Sequence, residues 1–306
     1  MITLADGTIL IDLDYLGIPG YIGSCLLDTG EGLALVDPGP ATTLPRLRDA
    51  IRACGATMQD VRLLLLTHIH LDHSGGAGTL AAELPRLRVY VHERGAPHLI
   101  DPSKLVRSAT MLYGDQMERM WGEITPVPAE RVHPLSGGER LHFGSRTIEV
   151  AYTPGHAWHH NAYLDRQTGI AFTGDVAGEQ YHGSTAAIPV TPPPDVDVEL
   201  MIESGHRILE WQPAHLFPTH FGLVQDPPRF LAEHEARLRS WSDQVRVSLA
   251  EEGADEDRIK RQLQNRRAEL QALLPEPSWR YISDSTITYD WLGLARYWRK
   301  KDGQTV

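Results

Sequence analysis

Four side chains that can bind a metal ion lie within six residues of this 306-residue sequence: His68, His70, Asp72 and His73. They closely follow a run at residues 61–66 that is apolar apart from Arg62, which we predict to be a strand buried on both faces. In a helix, residues 68 and 70 would point to different faces, so we expect the motif to form a loop at the strand end. Imidazole and carboxylate together suit zinc, iron or manganese, whereas calcium prefers oxygen ligands alone. The motif therefore predicts a metal site.

More ligands must come from later in the chain, because zinc takes four or five ligands and two metals need about eight bonds. Three further ligand-type residues each follow a short strand-like run, with Gly or Pro shaping the turn: His156, Asp175 and His220. Each of these matches is weak on its own. Their recurrence after strands, in this order behind the histidine-rich motif, makes the set much stronger.

Together, the run from Thr67 to His73, the segment Thr153 to His156, Gly174-Asp175 and Pro218-Thr219-His220 resemble the metallo-β-lactamase superfamily. The resemblance covers roughly residues 1–225 and implies an α/β fold, a four-layer αββα metallo-β-lactamase sandwich with the site at one edge of two sheets. Asp37 matches the aspartate that supports the metal-binding loop in this family.

The resemblance also implies a dinuclear metal centre, with zinc as the favoured metal and iron or manganese as alternatives. His68, His70 and His156 would hold the first metal, Asp72, His73 and His220 the second, and Asp175 would bridge the two. The full set is similar to the glyoxalase II and lactonase-like branch. In the antibiotic-degrading branch a cysteine commonly sits at the second metal, and neither Cys25 nor Cys54 matches that place.

The implied activity is hydrolysis of an ester, thioester, lactone or phosphodiester by a hydroxide that bridges the metals. Asp72 and Asp175 are the predicted catalytic residues, and Asp72 would orient the hydroxide as well as bind metal. One alternative is an iron-dependent redox enzyme of the same superfamily, similar to the persulfide dioxygenases. Another is a non-catalytic metal-binding regulator, because ligands alone do not prove turnover.

Residues that contact the small-molecule substrate are harder to predict. The candidates are Tyr181, His182, His160, Arg107 and Tyr113. Tyr181 and His182 follow Asp175 closely, His160 lies where many relatives carry a supporting or pocket histidine, and Arg107 and Tyr113 lie in a segment that could cover the site. A plain core or surface role competes with the functional one for each of them.

The elements that must position these residues alternate between strands and helices up to residue 225, which is typical of a layered α/β domain. Beyond it, apolar residues recur at three and four positions, which predicts a helical C-terminal extension over residues 226–306. These helices would either cap the site or form the interface of a homodimer.

A net charge of −11 argues against a nucleic-acid surface, which needs clustered Lys and Arg. Two cysteines make no disulfide framework and fit a reducing compartment. The first residues show no basic and apolar signal-peptide pattern, and no apolar run approaches membrane-spanning length. We therefore expect a cytoplasmic protein that makes no contact with membranes.

Overall fold

Two β-sheets form the centre of the molecule in the computed structural model, which describes residues 1–5, 7–274 and 282–304. The first sheet has seven strands in chain order: Ile2–Ala5 (β1), Thr8–Asp12 (β2), Gly23–Asp28 (β3), Leu33–Val36 (β4), Val61–Leu65 (β5), Arg88–His92 (β6) and Val132–Leu135 (β7). The second has five: Arg140–Phe143 (β8), Arg146–Tyr152 (β9), Asn161–Asp165 (β10), Ile170–Phe172 (β11) and His215–Phe217 (β12), in the order β12-β11-β10-β9-β8.

Helices connect the strands and follow the second sheet. They are Leu44–Ala53 (α1), Leu71–Ser74 (α2), Ala77–Glu83 (α3), Ala96–Ile100 (α4), Ser103–Tyr113 (α5), Met117–Trp121 (α6), Val198–Glu210 (α7), Pro227–Ala250 (α8), Asp255–Leu273 (α9) and Asp284–Lys301 (α10). Within the described ranges, no helix combines the length and apolarity needed to cross a bilayer.

Alternating side chains on each strand build the layers, because successive residues of a strand point to opposite faces. On β5, Leu63 and Leu65 pack between the two sheets, while Leu64 packs against the helices outside the first sheet. On β10, Tyr163 lies between the sheets and Leu164 faces the helices outside the second sheet. Helices α1 and α3 cover the first sheet, and α7, α8 and α10 cover the second. The predicted αββα sandwich with a C-terminal helical extension is therefore confirmed.

The strand ends that carry the predicted ligands meet at one edge of the sandwich. Strands β4 and β5 are parallel, and so are β11 and β12, so the chain leaves each pair on the same side. The buried run predicted at residues 61–66 is strand β5, and the histidine-rich motif follows it directly.

The C-terminal helices pack onto the sandwich and also reach the segment that was expected to cover the site. Trp241 of α8 and Trp291 of α10 are almost fully buried in the core beside the second sheet. Farther along the surface, the Tyr289 hydroxyl of α10 donates a hydrogen bond to the carbonyl of Leu112 in α5, at 2.7 Å. These contacts place α10 against both the second sheet and α5, and the predicted homodimer stays a prediction.

A buried arginine joins the two sheets on the side away from the ligands. Arg146 at the start of β9 pairs with Asp165 at the end of β10, and both side chains are almost fully buried. Its guanidinium also donates to the Asp28 carbonyl at 2.8 Å and to the Thr8 hydroxyl at 3.2 Å, both in the first sheet. Arg146 therefore links the layers through one planar group with several donors.

We expect Arg146→Met to lower the free energy of unfolding by about 3–5 kcal/mol, because it leaves the Asp165 carboxylate buried without its partner. The matched control is Arg140→Met on the neighbouring strand, whose side chain is 68% exposed in its pair with Glu149. The control should cost less than about 1 kcal/mol. Chemical denaturation measures both, and equal small losses would contradict a linking role for Arg146.

Candidate metal centre

The histidine-rich motif leaves β5 as a short extended segment and then turns into one turn of helix. His68 and His70 lie before α2, while Asp72 and His73 lie within it. The expectation that the whole motif forms a loop is therefore wrong for its second half. The helical turn has a clear effect, since it places the adjacent residues 72 and 73 on the same side as His70, where a strand would have alternated them.

Seven predicted residues meet in two groups that share one carboxylate. His68, His70, His156 and Asp175 form one group, and Asp72, His73, Asp175 and His220 form the other; within each group the ligand atoms lie within 4.8 Å of one another. Asp175 Oδ2 lies 3.5 Å from His156 Nε2, and Asp175 Oδ1 lies 3.0 Å from His73 Nε2. Each oxygen of Asp175 thus faces a different group.

Two glycines allow the ligands to come this close. Gly155 precedes His156 with a φ of 124°, and a Cβ there would lie 2.2 Å from the Met201 nitrogen of α7. Gly174 precedes Asp175 with a φ of 47°, and a Cβ there would lie 2.7 Å from the Thr67 hydroxyl oxygen. At both positions the backbone conformation and the lack of space require glycine.

The polar atoms of the centre lack the protein partners that buried groups normally have. Within the described part of the chain, His68 Nε2 and Asp175 Oδ1 are buried without a hydrogen bond. His70 Nδ1 lies only 2.9 Å from His156 Nε2, and His73 Nε2 lies 3.3 Å from His220 Nε2. Ring nitrogens that converge in this way fit a bound cation, which would accept their lone pairs.

The electrostatics of the two groups also fit cation binding. Burial lowers the pKa of His70 to about 3, and the neighbouring His156 adds to the effect, so the imidazole stays neutral as a metal ligand must. In the second group, burial opposes protonation of His220, but Glu179, a hydrogen bond with Asp72 and the charge of Asp175 raise its pKa to about 9. The carboxylates there attract positive charge, which a divalent metal ion can supply.

Asp37 holds two of the ligand segments together from behind. Its side chain is fully buried and accepts hydrogen bonds from the Thr67 amide at 2.8 Å, the Thr67 hydroxyl at 2.7 Å and the Thr219 hydroxyl at 3.1 Å. The fourth bond comes from His73 Nδ1 at 2.9 Å, which leaves His73 Nε2 for the centre. The supporting role implied for Asp37 is thus borne out by its contacts.

Backbone carbonyls orient two more imidazoles. His156 Nδ1 donates to the carbonyl of Val190 at 3.0 Å, and His220 Nδ1 donates to the carbonyl of Tyr21 at 3.1 Å. A hydrogen bond at one ring nitrogen fixes the tautomer and leaves the other nitrogen free to bind metal. Both histidines therefore present Nε2 to the centre.

The C-terminal helix α10 fixes the loop that carries the Val190 carbonyl. The next residue, Thr191, donates its amide to the Asp290 carboxylate of α10 at 2.7 Å and its hydroxyl to the same oxygen at 3.2 Å. Gly293, one turn later, lets α10 approach closely, since a Cβ there would lie 1.9 Å from the Thr191 carbonyl oxygen. His156 is thus connected to the helical extension through two residues.

The structure separates the five residues that we considered for substrate contact. His160 is fully buried, shares a hydrogen bond with the Thr153 hydroxyl at 2.8 Å and packs 5.0 Å from the His68 ring, so it lies behind the ligands. This position fits the supporting alternative and keeps His160 away from a substrate. Arg107 is exposed on α5.

The other three candidates lie around the second ligand group. Tyr113 is half-buried at the end of α5, where its ring contacts Trp121 at 5.1 Å. Tyr181 is buried, and its hydroxyl donates to the Glu179 carboxylate. His182 is exposed and packs against Phe221, with 5.9 Å between the ring centres.

Sequence reasoning missed Glu179, whose Oε1 lies 3.9 Å from His220 Nε2. Burial raises the pKa of Glu179 above its ordinary value, although the charge of His220 opposes this shift. It reaches the centre because the segment after Asp175 pairs with Ile188 across an isolated bridge. No motif surrounds Glu179 in the sequence, so only its position four residues after Asp175 could have pointed to it.

Comparison with known proteins gives consistent matches. The sequence pattern of the metallo-beta-lactamase superfamily matches residues 18–220. A metallo-beta-lactamase fold-containing protein of Sulfurisphaera tokodaii is 29% identical over 204 residues, which are 66% of this chain and 75% of that protein. A hydroxyacylglutathione hydrolase of Legionella pneumophila is 27% identical over 155 residues, and this match spans 51% of this chain but only 46% of the hydrolase.

The fold has close structural counterparts as well. A metallo-beta-lactamase family protein from Thermus thermophilus superposes with a TM-score of 0.74 at 20% identity, over 98% of this chain and 95% of that one. At this level of identity the similarity shows the fold alone.

We expect Asp37→Asn to lower both metal content and stability. The carboxylate uses both oxygens as acceptors, whereas an amide would turn one NH₂ group towards a donor and cost about 1–3 kcal/mol. Thermal unfolding and elemental analysis of the purified protein measure the two effects. The control is Asp28→Asn, because Asp28 is exposed at the end of β3 in the same sheet, away from the centre. This variant should change neither metal content nor stability. Unchanged metal content in Asp37→Asn would contradict the supporting role.

The link from α10 to His156 predicts a second effect on metal affinity. Asp290→Ala should weaken metal binding by about tenfold. This is the lower end of the loss in metal affinity, about 10- to 100-fold, that follows when a residue supporting a metal ligand is replaced. Asp290→Asn keeps an oxygen acceptor for Thr191 and should restore most of the affinity. Competition with a chelator measures these values. Asp284→Ala, at the exposed start of α10, is the control. Equal affinities in all three variants would show that α10 does not position His156.

Proposed function

Because the chain belongs to the metallo-β-lactamase superfamily, we propose that it is a dinuclear metal-dependent hydrolase of an ester, thioester, lactone or phosphodiester. The observation that carries this proposal is the place of Asp175, which turns one carboxylate oxygen towards each ligand group. A carboxylate shared in this way suits a pair of metal ions better than a single ion.

The donor set indicates which residues would hold each ion. His68, His70 and His156 would bind the first, Asp72, His73 and His220 the second, and Asp175 both. Five imidazoles and two carboxylates form a nitrogen-rich set, which favours zinc over magnesium or calcium. Iron and manganese accept the same ligands, so zinc is a proposal that metal analysis must test.

When bound, two divalent ions lower the pKa of a shared water and polarise the carbonyl or phosphoryl oxygen of a substrate. The chain supplies the orientation. The Asp72 side chain is 24% exposed, more than any other ligand carboxylate, and its Oδ2 lies 3.4 Å from His220 Nε2. Asp72 can therefore accept a hydrogen bond from the attacking water on the open side, while the buried Asp175 fixes the distance between the two ligand groups.

The named activity of one relative points the same way. The Legionella relative is named as a hydroxyacylglutathione hydrolase, which supports hydrolysis at an acyl group. Because this chain spans about half of that protein, 46% of its length, a thioester substrate remains one of several proposals here.

Replacing Asp175 tests the dinuclear proposal directly. Asp175→Ala should reduce bound metal from about two ions per chain to about one or fewer, because both ligand groups lose a ligand. Hydrolysis of an activated ester should fall by more than about 100-fold. Replacing a residue that only supports a metal ligand already lowers activity by about 10- to 100-fold, and Asp175 is itself a proposed ligand. Elemental analysis and initial rates measure these effects, with Asp243→Ala on the exposed face of α8 as the control.

Three outcomes separate the alternatives. Two metals and full activity in Asp175→Ala would disprove the shared carboxylate. One iron per wild-type chain together with oxygen consumption would favour the redox enzyme. Two metals without turnover of any ester, thioester, lactone or phosphodiester would favour a metal-binding regulator.

A further inference from the structure

One more histidine borders the first ligand group without belonging to it. The ring centre of His159 lies 5.6 Å from that of His70, edge to face, and 6.2 Å from that of His68, whose ring is nearly parallel to it. Among the described residues, neither of the two sets of side chains that could hold a metal ion includes His159. His159 therefore lies next to the first ligand group and keeps its own ring nitrogens for other partners.

A backbone hydrogen bond determines which ring nitrogen of His159 carries the proton. The Ile69 amide donates to His159 Nδ1 at 3.4 Å. A ring nitrogen that accepts a hydrogen bond carries no proton, so the single proton of the neutral ring lies on Nε2. Burial and the neighbouring His70 hold the pKa of His159 well below its ordinary value, which keeps the ring neutral. His159 therefore carries a fixed N–H donor at Nε2.

The Nε2 donor is accessible from outside the protein. His159 is half-buried, and so is its neighbour His70, whereas the other two histidines of the first group are almost fully buried. Within the described ranges, His159 Nε2 has no hydrogen-bond acceptor, and it is not enclosed by protein as the Nε2 atoms of His68 and His160 are. A small molecule that approaches the first ligand group past His70 can therefore reach this nitrogen.

The segment that carries His159 is held in place on both sides of the ring. The Tyr152 hydroxyl donates to the carbonyl of Trp158 at 3.1 Å. The Thr153 amide donates to the carbonyl of His160 at 3.0 Å. Together with the Ile69 bond at Nδ1, these contacts keep the imidazole in one position, which is what a preorganised donor requires.

We propose that His159 is a catalytic residue that donates its Nε2–H to the carbonyl oxygen of an acyl substrate beside the first ligand group. When a hydroxide bonds to the carbonyl carbon, the π electron pair of the C=O bond moves onto this oxygen. The hydrogen bond from His159 strengthens as that charge grows, and the proton stays on Nε2. The pair returns when the leaving group departs with the electrons of its own bond. This inference rests on the proposed hydrolytic function and adds a residue to it.

Two substitutions separate the donor from a role in holding Ile69. Asparagine can place its carbonyl oxygen near the position of Nδ1 and accept from Ile69, but it does not reach the position of Nε2. Glutamine is one carbon longer and can place its NH₂ group there. With para-nitrophenyl acetate and the metal-loaded full chain, His159→Asn should lower kcat about 100-fold, because removing one such donor costs about 100- to 1,000-fold. KM should change less than about threefold, and His159→Gln should recover most of the lost kcat.

The control is His142→Asn, because the His142 ring is exposed on β8 and its Nδ1 also shares a hydrogen bond, with the Thr147 hydroxyl at 3.1 Å. This variant should leave kcat unchanged. All three variants should keep the wild-type metal content, since neither histidine is a proposed ligand. An unchanged kcat in His159→Asn would overturn the proposal. A loss of metal in that variant would overturn it too, since His159 would then act as a ligand.

A measurement without turnover separates this inference from the proposed activity. In the zinc-loaded chain labelled with ¹⁵N-histidine, long-range ¹H–¹⁵N correlation spectra show which ring nitrogen carries the proton, and the spectrum of His159→Gln assigns the His159 signals. We expect the proton on Nε2 and a shift of the Nε2 signal when inorganic phosphate is added as an oxyanion probe. A proton on Nδ1, or no shift at any phosphate concentration, would reject the donor even if esters are hydrolysed. The expected tautomer and shift without ester hydrolysis would keep the donor and reject the hydrolase.

Discussion

The buried carboxylate of Asp37 is the interaction on which the centre depends. One side chain at the end of β4 holds Thr67, His73 and Thr219, residues that are 30, 36 and 182 positions away in the chain. The backbone φ is 47° at Asp37 and 60° at Thr219, and residues other than glycine rarely adopt such positive values. Such strain persists only where surrounding contacts enforce it, and here the bond between the two side chains does so.

A charge imbalance follows from this geometry. Asp37 fixes His73 so that its Nε2 faces Asp175 and His220 at close range, where all three side chains are buried. Several imidazoles and carboxylates in such a region are costly unless a cation neutralises them. A bound metal ion would therefore stabilise the fold, because without it the contacts that hold the loops together have to overcome this cost.

Much of this centre could be predicted from the sequence because its ligands lie next to strands. His68, His70 and His156 follow apolar runs with clear turn residues, and the edge of a sandwich brings such ends together. The helical turn at Asp72 and His73 escaped prediction, since four residues are too few to show periodicity. Glu179 escaped for another reason: it is an ordinary residue type that gains its place beside the centre only from tertiary contacts, which no local pattern encodes.

The last C-terminal helix supports one ligand of the candidate centre from outside the sandwich. Helix α10 supports the centre indirectly, because Asp290 holds the loop whose Val190 carbonyl orients His156. The same helix also reaches α5, where the Tyr289 hydroxyl donates a hydrogen bond to the Leu112 carbonyl. Because α10 supports a histidine of the proposed centre, metal binding would in turn stabilise the packing of this helix, as reciprocal linkage requires.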